Sequence, residues 1–84
     1  MIPLTLARSG EVNVIKRVGG KQEVRAHLEN LGFVVGGGVM VINTIGGNLI
    51  VNVKDSRVAI SREMAQKIMI GFLQEVDYEN AETG

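Results

Sequence analysis

Apolar and polar positions along this chain change period from one segment to the next, and each change predicts an element boundary. "EVNVIKRV" (Glu11–Val18) is β-branched and roughly alternating, which predicts a strand ending at the Gly19-Gly20 turn. In "KQEVRAHLENL" the period lengthens: Val24, Leu28 and Leu31 fall at helical spacing with polar residues between them. Glu23 sits in the first turn of that helix, where a negative charge suits the dipole. Alternation then returns in "VMVINT", "LIVNVK" and "RVAIS", three strands separated by Gly46-Gly47-Asn48 and Lys54-Asp55-Ser56. Ser61 is a natural N-cap for a short helical turn, "REMAQK", and "IMIGFLQEV" reads as a last strand. The expected domain is 1–76, with 77–84 an acidic, disordered tail.

The helix stop is legible in detail. If Gly32 is the left-handed residue just past the C-cap, Phe33 follows it and Leu28 is its apolar contact one turn back, a Schellman arrangement. Several short strands with tight turns and one helix predict a mainly-β fold, small enough to hide its edges by curling. The expectation is an SH3-like barrel of about five strands. One α-helix follows the first long strand and caps an open end, and a helical turn precedes the last strand.

One interval complicates this picture. No charged residue lies between Glu29 and Lys54, a stretch longer than the roughly 20 residues that span a bilayer. Six glycines and Asn30, Asn43, Asn48 and Asn52 interrupt it, and "TIGGNL" is a turn signal, so a buried hairpin is the better reading. The 84 residues suit one domain, and with no cysteine there is neither a disulfide nor a thiolate metal site. The N-terminal "MIPLTLARSGEV" does not have the shape of a secretory signal. Nine basic and nine acidic residues balance, but Glu75, Asp77, Glu79 and Glu82 crowd the tail. Residues 1–74 therefore hold nine bases against five acids, a net of +4 that falls short of a nucleic-acid-binding signature.

Candidate chemistry is sparse. The Gly36-Gly37-Gly38 run follows a helix and precedes a strand, the reverse of a phosphate-cradling loop, and no Lys-Ser/Thr follows it. It reads as a corner where glycine permits positive φ. His27 is the only histidine, so a nucleophilic system would rest on one imidazole, and Ser9, Ser56 and Ser61 stand in turn or cap contexts. Glu23 and His27, four apart on one helix face, are weak candidates for a metal. Two ligands without a third make a poor ferrous site, and an ordinary i,i+4 pair is the stronger reading. No cofactor and no enzyme activity are expected. The aromatics Phe33, Phe72 and Tyr78 are too few for stacking nucleic acid or lining a proline-binding groove.

The segment "VRAHLENLGFVVGGGVMVI" resembles the ferrous iron transport protein A (FeoA) family. There an arginine-bearing helix ends in Leu-Gly, followed by an apolar residue, a proline-glycine step and a strand. The matching positions are Arg25, Leu28, Leu31, Gly32, Phe33, Gly36 and Val39, with Val35 standing where the family usually has proline. "VAISREMAQKIMI" is similar to the family's closing segment, and Leu4, Gly10 and Ile15 follow its start. The resemblance implies a small cytoplasmic SH3-like domain that acts as an accessory or regulatory module of ferrous iron uptake. Its partner would be a FeoB-type membrane ferrous iron transporter with a GTP-binding domain. The expected docking surface is the polar side of the helix: Lys21, Arg25, His27 and Glu29. The alternatives are a nucleic-acid-binding small barrel and a metal-dependent regulatory module.

Overall fold

The computed structural model describes residues 1–71. The strands are β1 (Ile2–Pro3), β2 (Val12–Val18), β3 (Gly38–Ile45), β4 (Asn48–Val53), β5 (Ser56–Ser61) and β6 (Ile68–Gly71). Helix α1 (Gln22–Asn30) joins β2 to β3, and α2 (Arg62–Ala65) joins β5 to β6. All neighbouring strands run antiparallel in one sheet of order β1-β6-β2-β3-β4-β5. The five strands read from the sequence are β2 to β6. The sixth, β1, has only two residues and no alternation to reveal it; it is fixed by pairing with β6, Ile2 opposite Ile70. Residues 72–76 of the expected last strand and the 77–84 tail lie outside the described residues.

The alternation predicted for the strands sorts their side chains cleanly. Val39 and Val41 of β3, Leu49, Val51 and Val53 of β4, and Ile60 of β5 all point to one core. Ile15, Ile68, Ile70, Leu28, Phe33 and Leu4 complete it. The sheet curls into an SH3-like barrel because two strands carry an irregularity in register: β2 against β6 between Ile15 and Arg17, and β3 against β4 between Val41 and Asn43. An extra residue on one strand bends it and increases its twist. The end-capping role expected of α1 is shared. α1 contributes Leu28, while α2 packs against β4, β5 and the 3-10 turn at Leu4–Leu6, between the two sheet edges.

The uncharged interval from residue 30 to 53 becomes the helix end, the glycine corner and the β3–β4 hairpin. No described helix is long and apolar enough to cross a membrane. The hairpin turns differ in chemistry. Gly46-Gly47 joins β3 to β4, whereas Lys54 and Asp55 join β4 to β5 with φ of 52° and 61°. Two side-chain-bearing residues in the left-handed region make this a type I′ turn without the usual glycine, at a cost of roughly 1–2 kcal/mol per residue.

Candidate functional site

Helix α1 begins without a cap. Lys21 occupies the N-cap position in extended geometry and its side chain bonds no backbone N–H. The other end is closed by backbone hydrogen bonds. The Phe33 N–H donates to the Leu28 carbonyl at 3.0 Å and the Gly32 N–H to the Glu29 carbonyl at 2.9 Å, with Gly32 at φ +110°. These are the two bonds of a Schellman motif, and Leu28 and Phe33 both sit in the core, as the sequence predicts.

The glycine corner follows. The Gly37 N–H donates to the Val34 carbonyl at 3.0 Å, closing a turn whose third residue, Gly36, has φ +91°. That is the backbone of a type II turn, which favours proline at its second position, here Val35. Gly36 and Gly37 also bond across to Ile15, the Gly36 N–H to its carbonyl at 2.8 Å and its N–H to the Gly37 carbonyl at 2.9 Å. The run stitches the helix exit to β2. It is a corner, with its backbone hydrogen bonds directed into the protein.

A lysine stem from the barrel lies against each end of α1. A Cβ at Gly20, just before the helix, would stand 3.0 Å from the Lys67 Cδ, and one at Gly32 would stand 3.2 Å from the Lys54 Cβ. Only glycine admits these stems so closely. The strained turn at Lys54-Asp55 thus abuts the helix end.

Between these ends α1 touches the barrel on a narrow stripe. Leu28 is buried and Val24 half-buried, while Lys21, Gln22, Glu23, Arg25, Ala26, His27, Glu29 and Asn30 are exposed. At 100° per residue Ala26 lies opposite the buried stripe. Arg25 and Glu29 flank it on one side, Glu23 and His27 on the other. Two shallow depressions meet over Ala26, one lined by Lys21, Gln22 and Glu23 and the other by Gln22, Arg25 and Glu29. Three of the four predicted docking residues, Lys21, Arg25 and Glu29, therefore border one continuous surface, and His27 stands on the other flank. Ala26 is the position the sequence reading missed; its signal is a small side chain on an otherwise long-chained polar face.

Glu23 and His27 share a flank as expected, but the i,i+4 pair does not form. Neither has a hydrogen-bond or ion-pair partner among the described residues. Nor do three or more His, Cys, Asp or Glu side chains gather anywhere among the described residues. Phe33 is fully buried and offers no stacking face, while Phe72 and Tyr78 lie outside the described residues.

The FeoA domain profile matches residues 2–71. The chain belongs to the FeoA family. A protein of Methanocaldococcus jannaschii, provisionally named Fe(2+) transport protein A, is 33% identical over 70 residues, covering 83% of this chain and 85% of its own. The crystal structure of an iron uptake regulatory protein (FeoA) superposes with a TM-score of 0.76 at 24% identity, covering 83% of this chain and 93% of that one. The solution structure of FeoA from Chlorobium tepidum gives 0.79 at 24% identity, over 86% of this chain and 70% of that one. These likenesses bear out the SH3-like fold, and the family is one of ferrous iron transport accessory proteins.

Proposed function

We propose that this FeoA-family chain is a non-catalytic module of ferrous iron uptake. It docks on the cytoplasmic side of a FeoB-type membrane transporter through the Lys21, Arg25 and Glu29 flank of α1. The observation that supports this is the imbalance of α1: buried Leu28 and half-buried Val24 hold it, while the other seven of its nine residues and the N-cap Lys21 are exposed. Folding does not require such a surface, so it is available to a partner. Its charges alternate in sign, which suits register-specific recognition of a protein better than the uniform field that nucleic acid attracts.

Co-purification with the full-length transporter tests the reading. Arg25→Glu is expected to lose the transporter while staying folded, because an interface arginine is often among the few residues that dominate binding. A folded Arg25→Glu protein that still co-purifies and still supports iron uptake would remove α1 from the interface. Any ferrous binding by the isolated chain is expected to be weak. Anaerobic melts with and without Fe²⁺ check this, since a saturating native-state ligand raises stability by a few kcal/mol. A large rise that vanishes in His27→Ala would make His27 a ligand.

A further inference from the structure

Two oppositely charged side chains share one flank of the outward face of α1. Arg25 and Glu29 are exposed, four residues apart, and neither has an ion-pair or hydrogen-bond partner among the described residues. Arginine N-terminal to glutamate is the weaker order for a pair within one helix, so both charges stay available to another molecule. Ala26 lies between this flank and the one that carries Glu23 and His27, so the crest of the face is its shortest side chain. A short residue there lets the axis of a second helix approach to about 8–10 Å, close enough for the flanking side chains to meet.

The sequence itself supplies a helix with matching charges: α1 of a second copy. When two identical helices pack antiparallel about a two-fold axis, each flank meets the same flank of the other copy, and every contact occurs twice. With the axis beside Ala26, Arg25 of each copy faces Glu29 of the other. On the opposite flank the same register sets Glu23 beside Asn30 of the second copy, a carboxylate beside an amide that donates to it. No like charges of the two helices fall opposite one another. A single register therefore satisfies both flanks.

We propose that this α1 face pairs with α1 of a second copy of the chain, antiparallel, through two Arg25–Glu29 ion pairs over Ala26. The contact is small. Nine residues of helix run about 13 Å, far less than a permanent dimer needs, and exposed ion pairs add little each, so the pair forms and parts readily. Its consequence rests on the transporter reading above: two copies hide each other's docking flank, and only the free copy engages the transporter. Self-pairing and docking then compete for one surface.

The test needs no transporter, so it separates the two readings. In the ¹⁵N-labelled full chain, the amide signals of Gln22, Arg25, Ala26 and Glu29 are expected to shift on dilution from about 1 mM to about 0.05 mM, the range in which so small a contact dissociates. The shift should shrink in about 0.5 M salt, where the screening length falls to about 4 Å. Arg25→Glu and Glu29→Arg should each weaken self-association about tenfold, since each turns two attractive pairs into two repulsive ones. An equal mixture of the two variants should restore it, because both cross pairs again have opposite signs. Labelled Arg25→Glu chain titrated with unlabelled Glu29→Arg chain therefore regains the α1 shifts. The double variant, Arg25→Glu with Glu29→Arg, should pair with itself as wild type does, which shows that the loss in the single variants is not unfolding. Wild-type α1 signals that stay still on dilution overturn the proposal, as do dilution shifts confined to another face. A mixture no more associated than either variant alone overturns it too. None of these results touches docking through Arg25, which stands or falls by co-purification.

Discussion

The barrel and helix α1 are held together in opposite ways. Strands β2 to β6 all send residues into the core and share hydrogen bonds with neighbours, while α1 sends in Leu28, with half-buried Val24 packed against it. Every inward position of the barrel is constrained by several neighbours at once. Most of α1 is constrained only by helix propensity and by its two glycine-floored ends. Selection on folding therefore governs the barrel sequence, and the outward face of α1 is left free to carry recognition.

The largest expected effect breaks the barrel. Ile15 is fully buried, so Ile15→Ala should cost about 2–5 kcal/mol and lower the urea midpoint of the whole domain. Leu28→Ala removes an equally buried side chain, yet hydrogen exchange should show α1 amides losing protection before those of the strands. Uniform loss in both variants would mean that helix and barrel are one cooperative unit.

Next comes the joint between the two regions. Gly32→Val forces a β-branched residue to φ +110° and places its Cβ 3.2 Å from the Lys54 Cβ. A loss of at least ~1–2 kcal/mol is expected, read as a urea midpoint. Gly37→Ala, with ordinary φ, meets the Val34 carbonyl oxygen at 3.1 Å and should cost under about 1 kcal/mol. An unchanged midpoint for Gly32→Val would show that the helix does not depend on its Schellman end.

A smaller, stabilising change sharpens the comparison from the barrel side. Asp55→Gly relieves one strained position of the β4–β5 turn and keeps the Lys54 stem against α1. The gain, about 0.5 kcal/mol, is the left-handed cost less the added freedom of the unfolded chain. Calorimetry showing a lower melting temperature would mean that the Asp55 side chain stabilises the turn. The smallest effect belongs to the open face of α1: Arg25→Glu should stay within about 0.5 kcal/mol of wild type by thermal melting. A larger loss would show that Arg25 supports the fold and would weaken its use as a docking probe.

Much of this was written in local sequence. The periods of two and 3.6 placed β2 to β6 and α1, and the Ser61 N-cap placed α2, its Oγ accepting from the Met64 N–H at 3.2 Å as expected. Leu28-x-x-x-Gly32-Phe33 specified the helix end because a Schellman motif is closed by residues within one turn of each other. What the sequence left open depends on residues far apart along the chain. β1 exists because Ile2 meets Ile70, and the lysine brackets exist because Lys54 and Lys67 arrive beside Gly32 and Gly20. Spacing put Glu23 and His27 on one flank of α1, but whether two exposed side chains meet depends on their rotamers, which spacing does not fix. Asn13 stands two places before Ile15 on a strand face, but its burial, at 3% exposed, is set by what packs over that face and not by the strand's own pattern. Local pattern determined the elements here, since propensity, capping and turn chemistry act over a few residues. The tertiary structure alone decided which faces meet, because that depends on strand register and bulges linking distant parts of the chain.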